Sequence, residues 1–174
     1  MLALLLLAGI SLGLGGTASD GLGEQTVAPD AHVRLTPTDP WWQVEGYYSP
    51  SDKIAGPDQR GGWLAGVSAD YTADALALIG LRFQHRVGPG WKKDRLWMRG
   101  GLHKEWDTVQ TQAILSATLS SRDRESSIDW RVWVDFAPHL GLEVATRLVL
   151  FDQGAYEPNR RVGSLASLRI WYTF

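Results

Sequence analysis

Apolar and polar side chains alternate over most of residues 41–174, and a period of two is typical of β-strands. Eight such segments can be laid out, most of them 10–13 residues long, and no segment with helical spacing is long enough to compete. They are residues 41–48, 62–71, 75–87, 95–106, 109–121, 127–137, 140–152 and 162–174. The pattern predicts an all-β chain with consecutive antiparallel strands.

The connections between these segments alternate in length. In chain order they hold 13, 3, 7, 2, 5, 2 and 9 residues. Tight turns at one end and longer loops at the other are typical of up-and-down barrels that cross the outer membrane. An even number of strands also returns both ends of the chain to the side with the short turns.

The two faces of each segment differ in chemistry. One face is apolar, as in Leu168, Ile170 and Tyr172 of the last segment, and Lys104 is the one full charge on this face. The other face holds six acidic residues, six arginines and a histidine: Glu45, Asp70, Arg82, Arg86, Arg99, His103, Glu105, Asp129, Arg131, Asp135, Glu143, Arg147 and Arg169. An unpaired buried ion costs several kcal/mol, so this balance predicts an enclosed network of paired charges.

An apolar outside and a polar inside are the reverse of a soluble barrel of the lipocalin type, so we infer that lipid covers the apolar face. A closed sheet is the β-structure that leaves no unpaired edge in hydrocarbon. The predicted fold is therefore an eight-stranded antiparallel up-and-down transmembrane β-barrel over residues 41–174. Eight strands enclose an interior that side chains fill, so no open pore is expected.

The N-terminus, "MLALLLLAGISLGLGGTASD", predicts a cleaved signal peptide over residues 1–18. Its apolar run is too short for a spanning helix and ends in small residues, which places the cut after Ala18. No Lys or Arg precedes the run, and a buried N-terminal helix is the alternative. Residues 19–40, rich in Gly, Asp, Thr and Pro, are predicted to be a flexible segment.

With this N-terminus, eight alternating segments and the ending "RIWYTF", the chain resembles the small outer-membrane β-barrels of Gram-negative bacteria. The resemblance implies contact with outer-membrane lipid and lipopolysaccharide, and recognition of the last strand with Phe174 by the barrel-assembly machinery. A shorter likeness, carried by "PWWQVEGYY" and "GVSADYTADALALIGLRFQHRVGPG", is to the C-terminal barrels of phage-adsorption and exopolysaccharide-export proteins.

Three functions fit this interpretation. The first is a non-enzymatic barrel with a plugged, charge-paired lumen, whose extracellular loops contact surface partners or which reinforces the envelope. The second is a barrel component of an exopolysaccharide-export or phage-adsorption system. In "GPGWKKD", Trp91 would then stack on a sugar ring of a surface polysaccharide, and Lys92 and Lys93 would meet anionic groups.

The third function is a lipid A-modifying enzyme, which needs a nucleophile and a base at the outer rim. His85 is the histidine placed there, but the His-x-Ser spacing of outer-membrane lipid A deacylases is missing from the sequence. We therefore predict no catalytic residue.

Composition excludes several kinds of chemical site and of partner. The chain has no cysteine, which excludes disulfides, thiolate metal sites and cysteine catalysis. The net charge is −2 and no basic run occurs, so nucleic-acid binding is not expected. No motif predicts a metal site or a cofactor. In "RDRES", Asp123 and Glu125 are attributed to pairing with the arginines beside them.

The sequence predicts that the protein sediments with the outer-membrane fraction and migrates differently on gels when unheated and when boiled. The reason is that a closed sheet without free edges stays folded in mild detergent until it is heated. Cell fractionation followed by electrophoresis of both samples measures this. A soluble periplasmic band with the same mobility in both samples would contradict the assignment.

Overall fold

The computed structural model describes residues 8–21, 24–37, 42–49, 63–73, 76–88, 91–119, 124–153 and 163–174. Ten antiparallel strands form one sheet, in which each strand pairs with its neighbours in the chain and β1 also pairs with β10 to close a barrel. The strands are β1 (Ala8–Gly21), β2 (Glu24–Pro37), β3 (Trp42–Ser49), β4 (Trp63–Ala73), β5 (Ala77–Gly88), β6 (Trp91–Trp106), β7 (Val109–Thr118), β8 (Arg124–Ala137), β9 (Leu140–Gln153) and β10 (Gly163–Thr173).

The predicted all-β, antiparallel, up-and-down barrel is confirmed, but the predicted count of eight strands is wrong. Strands β3–β10 correspond to the eight predicted segments. β1 lies largely within residues 1–18, where a signal peptide was predicted, and β2 lies within residues 19–40, where a flexible segment was predicted. Cleavage after Ala18 stays a prediction, and it would cut inside β1.

The alternation of inward and outward residues in β1 and β2 is difficult to recognise in the sequence, for a different reason in each strand. In β1 the inward position Gly13 separates the outward Leu12 and Leu14, so the sequence reads as one continuous apolar run. In β2 the buried Asp30 and His32 alternate with outward residues, but Pro29 and the short length of the regular part obscure the pattern. Pairing with β1 along the whole of β2, and with β3 over residues 31–35, satisfies backbone groups that a flexible segment would leave to water.

The outer face of the barrel is apolar around the whole ring. Leu14 of β1, Ile79 of β5 and Leu168 of β10 are each more than half exposed. The inner face is polar and closely packed, and Glu143 and Trp97 on it are almost completely buried. In the described residues, no helix is long and apolar enough to cross a membrane.

Two of the tight turns are described, at Asp107–Thr108 and at Pro138–His139. His139 has a φ of 69°, in the left-handed region, and its Nδ1 lies 2.8 Å from the carbonyl oxygen of Thr173. The Thr173 N–H in turn donates to the His139 carbonyl at 2.9 Å. This turn therefore ties the β8–β9 hairpin to the C-terminal strand.

The predicted seven-residue connection "GPGWKKD" is wrong, because β6 begins at Trp91 and pairs there with β5. Trp91 is the register partner of Gly88, and Lys92 is the register partner of Val87. The two strands are joined through Pro89 and Gly90 alone, so not every connection at that end of the barrel is long.

Closure between β1 and β10 predicts a specific cross-link. Leu12 and Tyr172 are register partners on the outer face, so Leu12→Cys with Tyr172→Cys should form a disulfide on mild oxidation, since the chain has no other cysteine. Peptide mapping of the oxidised protein by mass spectrometry detects the bridge. The matched control, Leu12→Cys with Leu168→Cys, is displaced by four residues along the strand and should not cross-link. Equal yields from the two pairs would contradict the register.

Candidate functional site in the barrel lumen

A carboxylate on β3 meets an arginine on β8 inside the barrel. Glu45 Oε2 lies 3.2 Å from Arg131 Nη1, and both side chains are buried. In the closed ring of ten strands, β3 and β8 are five strands apart in either direction, so they face each other across the lumen. This ion pair therefore spans the interior from wall to wall.

Arg34 of β2 joins this ion pair to a second carboxylate. Its Nη2 lies 3.3 Å from Glu45 Oε2 and 3.1 Å from Glu143 Oε2. The guanidinium also lies between two indoles, 4.8 Å from the ring centroid of Trp133 and 4.1 Å from that of Trp171. Desolvated cation–π contacts of this kind are worth about 2 kcal/mol each, so two carboxylates and two indoles together hold the Arg34 guanidinium.

The next part of the network lies where the barrel closes. Arg169 Nη1 binds Glu143 Oε1 at 2.5 Å, and its Nε and Nη2 bind the Asp30 carboxylate at 2.9 and 3.1 Å. Thr17 donates to Asp30 at 2.5 Å, and Trp171 Nε1 donates to Glu143 at 3.1 Å. Charged residues from β2, β9 and β10 are thereby linked around the β1–β10 junction.

A second group of ion pairs lies on the wall from β4 to β9. Arg99 Nη1 binds Asp70 Oδ2 at 2.6 Å, and Arg147 binds Asp129 directly. Arg82 Nη2 is 4.0 Å from the other oxygen of Asp129. A further buried pair joins Arg95 of β6 to Glu125 of β8.

Two glycines allow ion pairs to reach across an intervening strand. Gly15 is the register partner of both Asp30 and Arg169, and a Cβ on it would lie 2.1 Å from the Leu168 carbonyl oxygen and 2.7 Å from Arg169 Cγ. Gly80 holds the same position between Asp70 and Arg99. Inward glycines therefore provide the space in which arginines of flanking strands lie flat over the wall.

Nine of the predicted network residues lie inward and form these ion pairs: Glu45, Asp70, Arg82, Arg99, Asp129, Arg131, Glu143, Arg147 and Arg169. Glu105 and Asp135 are exposed near the end with the tight turns. His103 is half-buried there, with Nδ1 3.3 Å from Gln112 Nε2 and Nε2 3.8 Å from Glu105. Arg86 lies in β5, but its side chain is outside the described part of the structure.

Sequence reasoning missed five members of the network: Asp30, His32, Arg34, Arg95 and Glu125. The first three lie in β2, where polar residues at every second position were the available signal. His32 Nδ1 lies 2.8 Å from Glu45 Oε1. The attribution of Glu125 to neighbouring arginines of its own loop is wrong, because β8 begins at Arg124 and turns Glu125 inward to Arg95.

Of the predicted surface and assembly residues, the structure describes the side chains of Lys92 and Phe174. Lys92 is exposed on β6, whereas the side chains of Trp91 and Lys93 are outside the described part. Phe174 is exposed, packs edge-to-face on Tyr172 with ring centroids 4.9 Å apart, and its N–H donates to the Ile10 carbonyl at 2.9 Å.

His85 faces outward and is paired with Asp94, since its Nδ1 lies 2.5 Å from Asp94 Oδ1. Its ring also lies 5.2 Å from that of Trp63. Within the described residues these are the contacts of His85, and no serine hydroxyl is among them. The same residues contain no group of three side chains that could hold a metal ion.

No protein-family model and no curated protein matches the chain. Solved barrel structures do match. One is described as the KdgM porin in complex with disordered oligogalacturonate, with a TM-score of 0.51 and 10% identity over 94% of this chain and 99% of that one. Another is the CymD monoaromatic hydrocarbon channel, with a TM-score of 0.52 and 7% identity over 96% of this chain and 88% of that one. These similarities establish the β-barrel fold that the chain shares with this porin and this channel.

The glycine between Asp30 and Arg169 yields a stability prediction. Gly15→Ala should destabilise the barrel by roughly 3 kcal/mol, because the added methyl would lie 2.1 Å from the Leu168 carbonyl oxygen and 2.7 Å from Arg169 Cγ, so the backbone of β10 and the Arg169 side chain must both shift. The midpoint of urea unfolding in detergent, followed by circular dichroism, measures this. Gly16→Ala is the matched control, since its Cβ meets its nearest atom at 3.5 Å. A similar loss in both variants would contradict the role assigned to Gly15.

Proposed function

We propose that this protein is an outer-membrane β-barrel of a Gram-negative bacterium whose lumen is closed by its own side chains, and which acts through its outer wall and loops. It is neither an open pore nor an enzyme in this proposal. The observation that carries the proposal is the Glu45–Arg131 contact of 3.2 Å between opposite walls.

The membrane location is supported by the outer face. Large apolar side chains such as Leu14, Leu102 and Ile170 are more than half exposed around a closed ring, and water would surround them in a soluble protein. Contiguous exposed apolar surface of this extent is typical of contact with lipid. Aromatic residues, among them Trp106, Phe136 and Tyr172, lie toward the ends of the strands, where the interfaces of the bilayer would be.

The closed lumen is supported by the size of the inward side chains. Ten strands enclose more space than the eight whose interior is just filled by side chains. The additional space is occupied by long arginines and by indoles, as in the stack of Arg34 between Trp133 and Trp171. Trp97 and Arg99 have exposed fractions of 1%, so neighbouring side chains cover them almost completely.

The similar solved structures are described as a porin and a channel, and the proposal departs from those descriptions. A barrel wall of one architecture can enclose either an open or a closed lumen, because the inward side chains determine conduction and the outward ones determine the membrane contact. At 10% and 7% identity, the inward side chains are not carried over from one protein to the other.

A second candidate role, contact with surface polysaccharide as in export or phage-adsorption systems, is favoured by one outward cluster. Tyr48 and Trp63 have ring centroids 6.3 Å apart, and His85 and the exposed Lys92 continue the cluster toward the long-loop end. Aromatic rings beside the cationic Lys92 suit sugar rings and their anionic substituents. Lipopolysaccharide would present the same chemical groups at this level of the outer face.

The C-terminal Phe174 is proposed as the signal for the barrel-assembly machinery.

The closed lumen yields a conductance prediction. The purified wild-type protein should give no discrete conductance steps in a planar lipid bilayer, whereas the double variant Glu45→Ala with Arg131→Ala should give them. Removing both partners avoids an unpaired buried charge and takes away the contact that crosses the lumen.

The matched control is the double variant Lys104→Ala with Glu105→Ala, which removes one positive and one negative charge at exposed positions. Its conductance should equal that of the wild type. Steady open-pore conductance of the wild-type protein would contradict the proposal.

A further inference from the structure

Lys104 on β6 places a full charge on the outer face of the barrel, between the outward residues Leu102 and Trp106. Its side chain is exposed and forms no ion pair or hydrogen bond with any of the described residues. It lies three residues before the tight turn at Asp107–Thr108, which is about 10 Å along a strand. A lysine at this depth extends its ammonium toward the polar edge of a bilayer, so the charge can meet a ligand outside the wall.

A hydroxyl lies beside this lysine. Thr111 on β7 is the register partner of Lys104, and the Cβ atoms of such partners are about 5 Å apart. Thr111 Oγ1 accepts a hydrogen bond of 3.0 Å from Trp130 Nε1, and it makes no other hydrogen bond among the described residues. A hydroxyl has one proton to donate as well as lone pairs that accept. The indole occupies an acceptor position, so the proton of Thr111 is left for a ligand.

Large apolar side chains continue from these two polar groups toward the middle of the wall. Ala113 is the register partner of both Leu102 and Trp130, so a small residue separates two large exposed ones. The Trp130 N–H points toward the tight turns, because Thr111 is two residues nearer to them than Ala113. At bilayer interfaces tryptophans have this orientation, with the N–H toward the headgroups and the ring among acyl chains. A depression for hydrocarbon therefore leads away from a pair of polar donors.

The acidic residues near Lys104 do not neutralise it. Glu105 belongs to the other face of β6, where its carboxylate lies 3.3 Å from Gln110 Nε2 and 3.8 Å from His103 Nε2. Asp107 is exposed in the turn and forms no ion pair with a described residue. The described part of the chain therefore provides no negative partner for the Lys104 ammonium.

We propose that Lys104 and Thr111 bind the phosphate of a phospholipid, and that an acyl chain of this lipid lies over Ala113 between Leu102 and Trp130. A phosphodiester has two oxygens that share its negative charge, so one accepts from the ammonium and the other from the hydroxyl. The inference rests on the proposed function, which places the barrel in the outer membrane. In that topology the tight turns face the periplasm, so the lipid belongs to the periplasmic leaflet.

Native mass spectrometry of the full-length protein in detergent tests this proposal, with phosphatidylglycerol titrated as the probe. The affinity for the first bound lipid is compared with the affinity for a diacylglycerol that has the same acyl chains and no phosphate. The wild type should bind phosphatidylglycerol about fivefold more tightly, which is the strength with which one lysine attracts anionic lipid. Equal affinities for the two lipids would overturn the proposal, because the ammonium would then reach water alone.

Replacing the lysine tests whether its charge acts locally. Lys104→Gln should lower the affinity for phosphatidylglycerol by about fivefold, and Lys104→Arg should retain it. The matched control is Lys92→Gln, which makes the same change of net charge on the outer face of β6 near its other end. It should leave the affinity nearly unchanged. Equal losses in the two glutamine variants would contradict a local site, because binding would then follow net charge alone.

Replacing the hydroxyl tests whether both groups hold one phosphate. Thr111→Val should lower the affinity and Thr111→Ser should retain it. Thr146→Val is the matched control, because Thr146 is an exposed register partner of Trp130 on β9, two strands away from β7, and it should have no effect. The double variant Lys104→Gln with Thr111→Val should lose less binding free energy than the two single losses added together. Strictly additive losses would overturn the shared site.

The location of the barrel is measured separately. Lys104→Gln should sediment with the outer-membrane fraction and change its mobility on heating as the wild type does, because strand pairing and the apolar wall do not depend on Lys104. Absence of the lipid preference in a protein that sediments with the outer membrane contradicts this inference alone. A soluble wild-type protein contradicts the proposed function and, with it, this inference.

Discussion

The cost of burying an unpaired charge is the constraint on which the rest of this structure depends. An ion without a partner in a protein interior costs several kcal/mol, and the described part of this barrel encloses thirteen charged arginine and carboxylate groups in ion pairs. Each arginine must therefore reach a carboxylate, wherever on the wall that carboxylate stands. The Glu45–Arg131 pair meets this requirement by crossing the lumen from one wall to the other.

The requirement for pairing also determines where the inner face of the wall must have glycine in place of a larger residue. An arginine that reaches a carboxylate two strands away has to lie over the strand between them, and Gly15 and Gly80 occupy those positions. The same packing places Arg34 between two indoles. The inner face of the wall carries ion pairs and the outer face is covered with apolar side chains, as the proposed membrane location requires.

Much of the wall could be predicted from the sequence, because each of β3–β10 has a clear period of two. The inward positions of Arg99, Arg131 and Glu143 follow directly from that period. Arg34 and Asp30 were missed because glycine and proline blur the alternation in β1 and β2, and because an apolar N-terminal run is also typical of an export signal. The partner of Glu125 was predicted from the arginines next to it in the sequence. In the structure Glu125 lies on the inward face of β8 and pairs with Arg95.

The sequence by itself determined the side of the sheet to which most residues belong, since a strand has only two faces and its chemistry alternates between them. Only the tertiary structure decided the number of strands and the pairing of charges across the lumen. Closure joins residues 11–20 to residues 164–173, and Glu45 meets Arg131 from the opposite wall. Contacts between such distant parts of the chain depend on the circumference of the whole ring. The alternation of residues along a single strand does not encode this circumference.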